Sequence, residues 1–189
     1  MLFVIKRLLF KGGKSLKLET PLNEEDIYSL KSGDKVKLSG VIYTARDEAH
    51  AKLIKLISED KKLPIPIKGQ VIYYVGPAPA KPGEVIGAAG PTTSYRMDSY
   101  TPQLLKKGLK GMIGKGARSK EVKKSMIQNN SIYFGAVGGA GALIAKSIKK
   151  SEVVAYPELG PEAIRKLEVE DMPLIVVNDV YGNDLYNQE

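Results

Sequence analysis

The sequence contains no cysteine, no tryptophan and only one histidine, His50, among its 189 residues. Without thiols this chain offers no disulfide, no thiolate nucleophile and no thiolate ligand for zinc or iron. A lone histidine likewise excludes a multi-histidine metal site. The chain itself is therefore expected to hold no metal, and any metal chemistry has to be completed by another polypeptide. Long apolar runs are missing too, since no stretch approaches the ~18 residues that a membrane span requires. The opening Met1-Leu2-Phe3-Val4-Ile5-Lys6-Arg7-Leu8-Leu9-Phe10 is apolar but short, carries charges inside it, and is followed by no small-residue cleavage site. A first strand or short pairing segment is the expectation there, rather than a signal peptide. A cytoplasmic protein without membrane association follows.

Hydrophobic residues make up 43% and charged residues 26%, the balance of an ordinary globular chain with one substantial core. One domain over residues 1–189 is expected, with residues 1–19 contributing an extra N-terminal strand segment. The formal net charge of +8 points to an anionic partner without naming it. Its lysines are scattered in pairs such as Lys61-Lys62 and Lys123-Lys124, which reads as a solvated surface. A basic nucleic-acid-binding module is the competing class. Against it stand the low aromatic content, the absence of tryptophan and the lack of any recognised binding motif.

Turn and cap signals divide the chain. Asn23 before Glu24-Glu25-Asp26 reads as a capped helix start, closed by Gly33. Val36–Tyr43 alternates as a strand, and Thr44 reads as the cap of a helix running to Ser58. Strands are expected at 70–75, 84–88, 109–113, 131–137, 153–156 and 174–177. Helices are expected from Thr101-Pro102 to Gly108, from Ser119 to Gln128, and from Ala140 to Ile148. Strand and helix alternate through the second half, so the fold class is α/β, with a parallel or mixed sheet flanked by helices. Such folds bind ligands at the ends of their strands.

Three segments place cations or hydroxyls where a strand gives way to a helix. In Thr44-Ala45-Arg46-Asp47-Glu48-Ala49-His50, an arginine in the first turn opposes the helix dipole but suits bidentate capture of a carboxylate. The bland alternative is a surface ion pair with Asp47 or Glu48. In Gly90-Pro91-Thr92-Thr93-Ser94-Tyr95-Arg96-Met97-Asp98, three hydroxyls and an arginine gather donors for an anion, or else simply cap a loop. In Gly114-Lys115-Gly116-Ala117-Arg118-Ser119, the glycines allow close backbone approach, yet the spacing is not that of a Walker loop. The glycines of 135–141 fail the dinucleotide pattern and fit close packing better.

Together these stretches, with Tyr156-Pro157-Glu158-Leu159-Gly160 and Glu168-Val169-Glu170-Asp171-Met172-Pro173, resemble the β-type subunit of class I iron–sulfur fumarase and L(+)-tartrate dehydratase. The resemblance implies a swivelling β/β/α domain beside a larger α-type subunit that holds a [4Fe-4S] cluster on three cysteines. Some relatives fuse both parts, and a chain without cysteine looks like the separate-subunit form, as an α2β2 heterotetramer. It also implies that Arg46, Arg96 and Lys115 bind the substrate carboxylates and that Thr92 is the candidate base. The choice of Thr92 over Thr93 rests on spacing to Arg96. His50 and Thr93 would support the site. The implied reaction is the reversible dehydration of (S)-malate to fumarate, or, as the alternative, of L(+)-tartrate to oxaloacetate. Iron with an open coordination position would act as Lewis acid on the leaving hydroxyl. A threonine hydroxyl is a poor base unless neighbouring cations or an acidic partner residue activate it.

Overall fold

The central strands are apolar on both faces, so the sheet they form is buried from two sides. The computed structural model describes residues 15–136 and 141–187. Its strands are β1 (Leu16–Thr20), β2 (Lys35–Thr44), β3 (Val71–Tyr73), β4 (Gly111–Gly114), β5 (Ile132–Gly135), β6 (Ile148–Ala155) and β7 (Ile164–Asn178). They lie in the order β1-β2-β3-β4-β5-β7-β6, with a further β2–β7 pairing. The steps from β1 through β5 are parallel. Strand β7 runs antiparallel to β2, β5 and β6. The extra pairing closes β2, β3, β4, β5 and β7 into a ring. The expected α/β architecture with a mixed sheet and flanking helices is what forms.

Period-two alternation sorts the core. Val71, Tyr73, Ile132, Phe134, Leu174 and Val176 join one cluster with Ile27 of α1 (Glu24–Ser29) and Ile144 of α5 (Gly141–Ser147). Their neighbours Ile72, Tyr74, Tyr133, Ile175 and Val177 point to the other cluster. That side is covered by α2 (Asp47–Ser58), α3 (Thr101–Lys106) and α4 (Lys120–Gln128), through Leu53, Leu104 and Met126 among others. Among the described residues no helix is long and apolar enough to cross a membrane.

Several sequence expectations need correction. Residues 84–88 form no strand. Pro79 and Pro82 offer no N–H to a ladder, and Gly87 is pressed against the backbone of Ala78 and Pro79. Thr44 does not cap α2: its hydroxyl accepts from the Arg165 N–H at 2.9 Å and donates to the Ala163 carbonyl, while Arg46 occupies the cap position. Thr101 is not the cap of α3 either, because Tyr100 takes that place and the Thr101 hydroxyl donates to the Met97 carbonyl. Strand β6 begins at Ile148, directly after the helix, and β7 spans fifteen residues rather than four. The expected opening strand within residues 1–10, and positions 137–140 of the glycine-rich segment, lie outside the described residues.

Candidate functional site

Three parallel strands end side by side, and each delivers one of the expected segments. The Ala45 N–H donates to the Tyr73 carbonyl, so the chain leaving β2 follows β3. Beyond β3, the Tyr74 carbonyl accepts from the Thr92 N–H at 2.7 Å. Beyond β4, the Lys115 N–H donates to the Thr92 carbonyl at 3.3 Å, and the Lys115 carbonyl accepts from Ser94 at 2.8 Å. Thr93 and Lys115 thereby form a short parallel bridge. Arg96 lies in the 3₁₀ turn Ser94–Met97 that follows directly.

The two arginines meet at Asp47, whose carboxylate lies 2.6 Å from Arg96 Nη2 and 3.9 Å from Arg46 Nε. Arg46 also reaches Glu162 at 3.3 Å, and the Glu48 N–H donates to that same carboxylate. Of the two ion-pair partners that the sequence offered Arg46, Asp47 is a loose contact and Glu48 enters only through its backbone. Gly76 lies flat beneath the Arg46 guanidinium: a Cβ there would fall 2.7 Å from Cζ. Among the described residues no carboxylate comes within ion-pair distance of Lys115. Arg46, Thr92, Thr93, Arg96 and Lys115 are thus gathered at one end of the sheet. Asp47 contacts both arginines and Glu162 contacts Arg46, while Lys115 joins them through its backbone beside Thr92 and Ser94.

His50 is placed differently. It is fully buried, with its ring edge-on to Tyr74 at 5.3 Å and tilted over Tyr100. Burial, and secondarily the charge of Arg118, pull its pKa from 6.5 down to about 3, so the imidazole is neutral. It belongs to the floor of the site rather than to the cation cluster.

Sequence reading missed that floor. The Arg118 side chain is 0% exposed, with Nε 2.7 Å from Asp98 and Nη2 2.8 Å from the Thr101 hydroxyl. Its guanidinium lies 5.3 Å from the Tyr74 ring and 5.0 Å from that of Tyr133. Burial pushes the Tyr133 phenol up, so it stays protonated and donates to the Gly116 carbonyl while pairing with Ser94 Oγ. Asp98 and Arg118 both fell within the quoted segments, but nothing in their spacing signals a contact across twenty residues. Glu162 carried no signal at all.

Residues 6–189 match the Fumarase C-terminus family. The chain belongs to that family. Its relatives include the anaerobic class I fumarate hydratase of Escherichia coli K12, 47% identical over 82% of this chain and 28% of that protein. Fumarate hydratase 2 of Leishmania major is 42% identical over the same shares. A putative L(+)-tartrate dehydratase subunit beta of Methanocaldococcus jannaschii is 40% identical over 88% of this chain and 89% of that protein. The chain thus spans less than a third of the curated fumarate hydratases that it matches, but most of the length of that β subunit. The Fumarase C-terminus match covers all the segments that build the cluster.

Proposed function

We propose that this chain supplies the substrate-carboxylate site of a hydro-lyase that interconverts (S)-malate and fumarate. The observation that carries this reading is the meeting of Arg46, Arg96, Lys115 and Thr92 at the ends of three adjacent strands in a Fumarase C-terminus chain. In this reading a dicarboxylate is held by the two guanidinium forks and the Lys115 ammonium. Thr92, first deprotonated to an alkoxide that the surrounding cations stabilise, takes the proton from the carbon next to a carboxylate while the hydroxyl leaves the neighbouring carbon. The charge that grows on that carboxylate as the proton leaves is stabilised by cations already fixed in place. A desolvated dianion needs several cations, because leaving it half-paired costs several kcal/mol.

The class is an iron–sulfur one in the reading taken from the sequence, and this chain's own residues do not suit a cluster. It has no cysteine, His50 is buried and neutral, and no group of three or more metal-binding side chains exists among the described residues. We therefore assign the [4Fe-4S] cluster to an α-type partner in an α2β2 assembly in the cytoplasm. No step at that cluster is derived from this chain. Tartrate is the second reading, favoured by the match over nearly the whole of a tartrate dehydratase β subunit. One hydrogen-bonding group can decide between the two acids.

The test is anaerobic co-purification with the partner, followed by parallel assays on fumarate, malate and tartrate. Activity on malate and fumarate is expected, with about a hundredfold or greater loss in Arg96→Ala and Thr92→Ala. Near-normal turnover by the Thr92→Ala complex removes Thr92 as the base. Turnover of tartrate alone replaces the first reading with the second.

A further inference from the structure

Two of the three cations proposed to grip the substrate, Arg96 and Lys115, stand on separate loops, and an ion pair made by a fully buried arginine ties those loops together from below. Arg96 lies two residues before Asp98, and Lys115 three residues before Arg118. Both oxygens of Asp98 are used on the opposite loop: one pairs with Arg118 Nε at 2.7 Å, the other accepts from the Ser119 N–H at 2.7 Å. Arg118 then reaches back, donating to the Thr101 hydroxyl just beyond Asp98 at 2.8 Å. Its planar head is flanked by Tyr74 and Tyr133. Tyr133 adds another tie, since its hydroxyl bonds both Ser94 of one loop and Gly116 of the other at 2.8 Å. The space is tight as well, because a Cβ on Gly114 would collide with Ser94 Oγ.

A buried ion pair is a poor way to gain stability. The cost of taking two charges out of water offsets most of their attraction, and apolar side chains of similar volume often serve as well. What an arginine–carboxylate pair offers is a fixed fork geometry. Here the fork spans the two loops whose separation sets the distance from Arg96 to Lys115. We propose that Asp98 and Arg118 are positioning residues: their ion pair sets the spacing between Arg96 and Lys115 rather than touching substrate. This rests on the dicarboxylate reading above.

The test uses the assembled enzyme and two readouts, the melting temperature and the affinity for succinate, a saturated four-carbon dicarboxylate, by calorimetry. Arg118→Lys keeps the charge and loses the fork. Succinate affinity is expected to fall about tenfold or more, with KM for malate rising more than kcat falls, as a displacement near 1 Å produces. Asp98→Asn leaves a buried unpaired guanidinium and is expected to lower the melting temperature. The double variant D98N/R118M removes both charges, keeps an acceptor for the Ser119 N–H and fills the slot between the tyrosines. It is expected to recover most of the lost melting temperature without recovering succinate affinity. A double variant that regains both, or an Arg118→Lys enzyme with wild-type affinity, makes the pair a fold element only and overturns the inference. If the wild-type assembly binds no succinate and turns over neither malate nor tartrate, the underlying dicarboxylate reading fails, and the inference with it.

Discussion

His50 carries the largest change that the fold imposes on a group titrating near neutrality. In the unfolded chain its pKa is near the ordinary 6.5, whereas in the folded protein burial and Arg118 hold it at about 3. Between those values the unfolded chain binds a proton that the native state refuses. Stability is therefore whole above about pH 6.5 and is lost progressively as the pH falls towards 3. We expect the melting temperature to drop through that window, with a distinctly shallower acid limb in His50→Leu; parallel limbs in the two proteins contradict the assignment. Gly76 offers the complementary experiment. Its backbone needs no special conformation, but a methyl group there meets the Arg46 guanidinium, the far end of a flexible side chain. Gly76→Ala should thus cost little stability while pushing Arg46 aside. Raised KM for the dicarboxylate at near wild-type melting temperature is expected, and unchanged KM argues against Arg46 as a substrate ligand.

At the scale of elements, local chemistry was legible at Asn23 but not at Thr44 and Thr101, whose hydroxyls are taken by other partners. Asn23 caps α1 in a full capping box, accepting from the Asp26 N–H at 2.9 Å while the Asp26 carboxylate accepts from the Asn23 N–H. Asn23→Ala should lower stability by about 1 kcal/mol and leave substrate affinity untouched, because α1 lies away from the cation cluster. A changed KM in that variant would couple α1 to the site. Legibility failed where an element depends on distant partners. The middle of β7 reads as polar and turn-like in Glu168-Val169-Glu170-Asp171-Met172-Pro173, yet it is held by β2 on one side and, as far as Val169, by β6 on the other. Its irregularity is absorbed by the positive φ of Asp171 opposite the register shift at Leu38 and Gly40. Strand β6 hid behind Lys149, Lys150 and Glu152, charges that suit an exposed sheet edge. The candidate site divides in the same way. Its cations stood in short, dense segments, but Asp98, Arg118 and Glu162 acquire their roles only when chain segments far apart in sequence meet.

At the scale of the whole molecule the question is what a net charge of +8 does for a chain proposed to bind small anions. Most of its lysines are solvated, and screening over about 8–10 Å at physiological ionic strength confines each to its own neighbourhood. Several of the surface charges are also paired, as Lys150 is with Glu168 and Lys149 with Glu170, and such exposed pairs contribute little to stability. The field that a dicarboxylate meets on approach is therefore set mainly by Arg46, Arg96 and Lys115, against Asp47 and Glu162, at the end of the strands. If so, salt should act on capture rather than on chemistry. In the assembled enzyme kcat/KM is expected to fall with rising ionic strength while kcat holds nearly constant. Arg96→Gln, which removes a cluster charge, should flatten that slope, whereas neutralising the remote pair Lys61 and Lys62 should leave it unchanged. Equal flattening by both variants would mean that the general surface charge, and not the cluster at the strand ends, draws the substrate in.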